Sequence, residues 1–341
     1  MSSELSRLYD LADELNCLGP WNWMDEVQLI ALRHPTSGEM AYLSVMGAAG
    51  EHRSLTLYLG EEALHRFNLI HEAEFMDIKL SEADLTGLIL EARQLQVSFE
   101  TRRTLEKADL DQIKKLGRKY RGEEWPMFRS FRPGRAPGPV DDLEIDWLIH
   151  GLTQILDVAT RLARGTVEDS RSTPRFQILG RERDTSGQWR DFWINFDDSL
   201  HDFPSPECDP ELIRSVLALP KRGELQVAFE LLPVPIGPRF GERTFPYMLL
   251  CVDSASGSIS GMEMLTVEDS SYPELIASVP GTLLRLWERT GARPSAVRAT
   301  SLRTCLLLGE LAEALETPVY RQDKLPALDA ALRSMKQAFL R

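Results

Sequence analysis

The sequence predicts a mixed α+β and α/β chain of two domains, an antiparallel sheet with helices followed by a mixed sheet. Three observations carry this. The chain has 341 residues, more than one ordinary core organises, since domains run to roughly 150 residues. Its first part reads as hairpin, helix, helix, strand, the order of an antiparallel sheet with helices packed on it. Its last part reads as a hairpin followed by alternating helices and strands, which calls for parallel strands joined by helical crossovers.

The first helix starts near Ser3 and places Leu5, Leu8, Leu11, Ala12 and Leu15 on one face, until Gly19-Pro20 stops it. Three strand-like runs follow, VQLIALRH, EMAYLSVMG and RSLTLYLG, the first two separated by the turn Pro35-Thr36-Ser37-Gly38. EEALHRFNLIHE reads as a helix lying against them. Ser81 with Asp84 three residues on opens a further helix, and QLQVSFE returns as a strand. A short helix around Asp109–Lys119 precedes an arginine- and proline-rich stretch. DDLEIDWLIHGLTQILDVATRLARG then gives the clearest amphipathic helix, with Leu148, Leu152, Ile155, Ala159 and Leu162 at three-or-four spacing and Gly165 at its end.

The polar run 166–174 marks the boundary, giving domains 1–168 and 169–341, the latter divided into 169–240 and 241–341. The second domain opens on the hairpin FQILGRER and WRDFWINF, then a short helix near Glu211–Leu219 and the strand LQVAFELLPVPI. YMLLCVD and SISGMEMLTV flank Ser254-Ala255-Ser256-Gly257 as a second hairpin. PELIASVPGTLLRLWERTG follows as a helix interrupted at Pro280-Gly281; then come AVRAT, the helix LRTCLLLGELAEALE, extended PVYRQ, and a final helix.

Composition narrows the function. With 52 acidic against 39 basic side chains the net charge is −13, which works against non-specific DNA binding. No stretch approaches the ~18 apolar residues of a membrane span. Cys17, Cys208, Cys251 and Cys305 are isolated, with no CxxC for zinc or redox chemistry. The start, MSSELSRLYDLADELN, is acidic where a secretory signal would be basic. A cytoplasmic protein without a cofactor is expected.

Trp21-Asn22-Trp23-Met24, the run Ser44-Val45-Met46-Gly47-Ala48-Ala49-Gly50-Glu51, and Trp125-Pro126-Met127-Phe128-Arg129-Ser130 together resemble a bacterial family of uncharacterised proteins. The C-terminal part, VDSASGSISG through LPALDAAL, is similar to a second uncharacterised domain often found behind the first. The resemblance implies a bacterial cytosolic protein and brings no catalytic residue.

Candidate chemistry is sparse. Glu51 and His52 follow the small-residue run Ala48-Ala49-Gly50, where a ligand can approach the backbone, but the run is neither a P-loop nor GxGxxG. His201, Asp202, Cys208 and Asp209 form the densest ligand-type cluster, in a stretch that reads as a proline-stiffened loop, and no metal is expected. His34, His52 and His150 are scattered. Asp253 ends an apolar strand, and the order after it loosely resembles ribonuclease H-like domains, in which a carboxylate at this place holds a divalent metal. Two-metal hydrolysis needs converging carboxylates. Only Glu263 and Glu274 are at hand, and Thr300 stands where a partner acid belongs. A degenerate metal-dependent phosphodiesterase is thus the alternative reading.

The stretch Arg118–Arg135 interleaves Arg118, Lys119, Arg121, Arg129, Arg132 and Arg135 with Tyr120, Trp125, Phe128 and Phe131. Arginines beside aromatic rings hold phosphates or acidic protein surfaces. The competing reading, narrowly the stronger, is that Trp125, Phe128 and Phe131 dock into the first core while the arginines pair with the surplus of acids. The missing catalytic constellation makes a non-enzymatic binding or regulatory protein the leading expectation. Its exposed positive patch (Arg129, Arg132, Arg135, with Trp125) would meet a protein or a phosphate-bearing ligand.

Overall fold

The computed structural model describes residues 2–48, 50, 52–75, 80–167, 177–195, 208–238, 241–267 and 271–339. They form two sheets in two compact units, each sheet mixed.

The first unit contains α1 (Ser2–Leu18), β1 (Ile30–Arg33), β2 (Met40–Met46), β3 (Ser54–Leu59), β4 (Gln94–Glu100), α4 (Lys107–Lys115), β5 (Trp125–Phe131), α5 (Asp142–Ala163), β6 (Ile178–Arg183) and β7 (Trp189–Ile194). The seven strands lie in the order β5-β4-β3-β2-β1-β6-β7. Helix α5 forms where the spacing predicted. Asp141 accepts from the Glu144 N–H at 3.0 Å, and Glu144 accepts from the Asp141 N–H at 3.0 Å, satisfying donors that the first helical turn leaves over. The apolar stripe of α5 joins α1 and the strands in one core, including Leu8, Leu15, Leu43, Leu95, Leu152 and Ile155. Gly151 lets the helix approach β3: a Cβ there would lie 2.7 Å from a Leu57 methyl.

Two expectations about this unit are corrected. The first sheet is not purely antiparallel, because β1 and β6 run parallel, Ile30 opposite Leu179 and Leu32 opposite Arg181. The hairpin β6–β7, expected to open the second domain, instead completes this sheet. A parallel joint needs a long crossover, and the chain that includes α5 supplies it.

The second unit contains α3 (Glu82–Leu90), α6 (Pro210–Leu217), β8 (Glu224–Leu231), β9 (Tyr247–Asp253), β10 (Ile259–Leu265), α7 (Tyr272–Thr290), β11 (Ala296–Ala299), α8 (Leu302–Ala314), β12 (Val319–Arg321) and α9 (Pro326–Phe339). The remaining helix, α2 (Gly60–Phe75), spans the point where the units divide. Strand order is β10-β9-β8-β11-β12: an antiparallel meander, with β11 parallel to β8 and β12 parallel to β11. Helices α7 and α8 pack on one face through Leu283, Leu284, Trp287, Leu308 and Leu311. Helix α9 covers part of the other through Leu325, Leu328 and Ala331, against Ala228, Met248, Leu250 and Val252.

Here too the structure corrects the sequence. Helix α3 comes from the stretch assigned to the first domain but belongs to this unit, against β8. Helix α7 runs unbroken through Pro280-Gly281. An internal proline costs roughly 3 kcal/mol, whereas each buried Leu or Ile of that helix contributes about 1.5–3 kcal/mol. Leu275, Ile276, Val279, Leu283, Leu284 and Leu286 are all buried on it, so packing wins.

Candidate functional site

The arginines expected to form a free positive surface are largely spent on neighbouring acids. Strand β5 pairs with β4, and the side chain of Arg129, 10 % exposed, turns back to α4. Its two terminal nitrogens grip both oxygens of Asp109 at 2.9 and 2.6 Å, a fork-to-fork ion pair. Arg118 reaches α1, donating to Asp13 at 2.7 Å, Asp10 at 2.5 Å and the Ser6 carbonyl at 2.9 Å. Arg132 donates to Asp141 at 2.8 Å and to Glu144 at 3.0 Å. Arg135, itself part of the second unit, pairs there with Glu242.

Glu144 is the hub, 2 % exposed and also bonded by Arg93 at 2.7 Å and the Ser130 hydroxyl at 2.7 Å. Burial pushes its carboxyl up. The Asp141 N–H, Ser130 and Arg93 outweigh that and hold it below the ordinary value. Phe128 is buried edge-on against Tyr9, their ring centres 5.0 Å apart, and Trp125 is half-buried with Arg102 over its ring. The stretch follows the counter-charge reading and not the open patch: an acidic body recruits these arginines for its own carboxylates. His52 is exposed and lies 3.6 Å from Glu100, while Glu51 falls outside the described residues.

The acids around Asp253 do not converge. Asp253 Oδ1 accepts from the Ser256 N–H and hydroxyl, both at 2.7 Å, and these bonds hold its carboxyl below the ordinary value. Glu263 stands opposite Leu249, four residues back along β9 and thus about 13 Å away at the rise of a strand; it pairs with Arg289. Glu274 closes the capping box of α7 on Ser271. His201 and Asp202 fall outside the described residues, and Asp209 caps α6 through the Glu211 N–H at 2.8 Å.

Among the described residues, one group of three ligand-type side chains does come together: His34, Asp146 and His150. His34 Nε2 lies 3.1 Å from Asp146 Oδ2, and His150 Nε2 lies 3.5 Å from Asp146 Oδ1. Trp147 packs against His34 at 4.3 Å between ring centres. The sequence reading missed this group, although Asp146 and His150 are an i, i+4 pair on the most legible helix. His34 Nδ1 accepts from the Ser37 N–H at 3.2 Å, while its buried Nε2 has no hydrogen-bond partner among the described residues. A metal-binding histidine donates through its second nitrogen, whereas the second nitrogen of this one accepts, so the ring lacks the outer bond that usually orients a ligand. Burial lowers the pKa of His150, opposed by Asp146 and aided by His34.

Two features of the second unit remain. The first is the outer edge of β10. The other sheet edges are blunted: β5 carries Pro126 and bridges Gly138 through Ser130, β7 carries Arg190 and Asp191, and β12 has three residues. Strand β10 has seven residues, and its one charge, Glu263, is tied to α7. Met262 and Met264 extend the row of Leu250 and Met248. Yet α9 buries only the latter two and leaves Met262 43 % and Met264 44 % exposed, with Ile259 47 %. No described strand pairs with this edge.

The second feature is a cavity of about 170 Å³ where α7 ends over the sheet, lined by Leu225, Cys251, Gly261, Leu286 and Trp287, with Arg222 and Asp253 also in its wall. Gly261 brings the two layers close, since a Cβ there would lie 2.9 Å from a Leu286 methyl. Burial pushes the Cys251 thiol up to about 12, so it is no nucleophile.

Comparison with known families gives two matches. Residues 6–178 match the domain of unknown function DUF7309, and residues 212–336 match the domain of unknown function DUF6930. The hairpin β6–β7 lies almost wholly between the two spans although it completes the first sheet. No curated protein matches the chain. No described helix is long and apolar enough to cross a membrane.

Proposed function

From a chain that belongs to the DUF7309 family and carries a DUF6930 domain behind it, we propose a non-enzymatic binding protein that captures an extended segment of a protein partner along β10. The supporting observation is that β10 alone among the sheet edges of the described residues is long, nearly uncharged and apolar on its open face. An added strand satisfies the row of backbone donors and acceptors that such an edge leaves open. Side chains of that strand cover Ile259, Met262 and Met264, each a little under half exposed, so that completing their burial stabilises by about 1 kcal/mol each. Backbone pairing supplies affinity and alternate side chains supply selectivity. This moves the binding surface away from Arg129, Arg132 and Arg135, which are committed to acids.

The ribonuclease H-like reading draws support from the strand order of the second sheet and its helical crossovers. Hydrolysis draws none. Where β8 meets β11, the facing side chains are Gln226, whose Oε1 accepts from the Leu328 N–H of α9, and Arg298, paired with Glu224.

Hydrogen exchange of β10 with and without a captured partner tests the proposal. Amides of residues 259–265 should slow on binding, and Met262→Lys with Met264→Lys should abolish capture while leaving the melting curve intact. Unchanged β10 exchange in the complex refutes it.

A further inference from the structure

The cavity at the end of α7 is independent of the β10 edge and carries charges of both signs. Asp253 uses Oδ1 for the Ser256 turn, and the Ala255 backbone N–H also supports its carboxylate. Its carboxylate lies beside the backbone at Gly223, where a Cβ would sit 3.1 Å from Oδ2. Arg222, the preceding residue, is exposed and has no ion-pair partner among the described residues. The two charges are neighbours along the wall and do not neutralise one another.

The surroundings sort the charges by role; Arg293, also in the wall, spends its guanidinium on the Leu219 and Leu315 carbonyls. Helix α7 ends here at Gly291, and the last carbonyls of a nineteen-residue helix carry partial negative charge. That end and Asp253 favour a cation such as an ammonium. Arg222 favours a carboxylate, which a guanidinium can meet with two parallel N–H bonds. Leu225, Leu286 and Trp287 make the apolar part of the same wall. Trp287 is 3 % exposed, and its indole N–H has no acceptor among the described residues. The volume of about 170 Å³ is several times the ~30 Å³ of one water in the liquid, room for a branched aliphatic side chain.

We propose that this cavity binds a free aliphatic α-amino acid, its ammonium on Asp253 and the α7 terminus, its carboxylate on Arg222, and its side chain over Leu225, Leu286 and Trp287. A plain amine leaves Arg222 unanswered, and a fatty acid or phosphate meets Asp253 with like charge. A nucleotide exceeds the volume. The zwitterion answers both Asp253 and Arg222, and its apolar tail matches the apolar part of the wall.

Isothermal titration calorimetry of the full chain with L-leucine and L-valine tests this, with glycine, isobutylamine and isovalerate as controls. Saturable binding of leucine or valine is expected, and each control should bind at least about tenfold more weakly. Asp253→Asn preserves the acceptor for Ser256 and hence the hairpin, and Arg222→Gln alters an exposed side chain. Each should weaken leucine by about tenfold or more. Should the Asp253 variant melt early, Arg222→Gln alone decides. Failure of leucine and valine to saturate at millimolar concentration overturns the proposal. So does isovalerate or isobutylamine binding as tightly as the amino acid, or a folded Arg222→Gln chain binding like wild type.

Discussion

Arg303, at the start of α8, holds Glu91, 212 residues earlier in the chain, through two hydrogen bonds of 2.5 and 2.7 Å. The Glu91 side chain is fully buried and also accepts from the Tyr272 hydroxyl at 2.6 Å. Glu91 caps the C-terminus of α3, where the helix dipole disfavours a carboxylate, so its ionised state depends on Arg303. Removing one partner strands the other charge in the interior. Glu91→Ala should therefore cost about 3–5 kcal/mol in urea unfolding. Replacing both residues by Met should cost less than either single change, because no buried charge is left alone.

Glu144 gives a pH-dependent test. Its folded pKa lies below the unfolded value near 4.5, so its contribution is fully present above that value and is lost as pH falls through the lower folded one. The stability gap between wild type and Glu144→Gln should be widest at neutral pH and close on acidification below about pH 4. A gap that widens in acid would show that the carboxylate is held protonated in the fold.

The Arg129 fork predicts a structural outcome where the sequence suggested a binding one. Arg129→Ala leaves Asp109, itself only 17 % exposed, without its counter-charge. A loss of about 3 kcal/mol is expected in thermal or urea unfolding. Arg135→Ala should cost less than about 1 kcal/mol, since both members of its pair are solvated.

What was legible in the sequence was local. The stripe of α5 and the glycine that ends it announced themselves, as did the hairpins, because turn chemistry and periodicity act over a few residues. What was not legible was pairing over distance. Nothing near Ile178 says that β6 will lie beside β1, and nothing near Ser81 assigns α3 to the second unit. The candidate sites show the same limit. Arg129 reads as a free cation until Asp109 is brought to it, and His34 reads as isolated until α5 presents Asp146 and His150. Pro280 misled because a local breaker rule was set against a buried face that only the tertiary packing supplies.

The route of α3 bears on how this chain is made and cut. Residues 82–91 leave the ribosome long before Arg303, so the acid that neutralises this arginine must wait, exposed, while most of its own unit is synthesised. A gene fragment opened at residue 169 would encode Arg303 but omit Glu91. It would also omit Asp84, which accepts from the Ser301 hydroxyl at 2.6 Å. Such a fragment would be born with a cation sealed in its interior, and supplying residues 82–91 as a separate peptide should rescue its solubility.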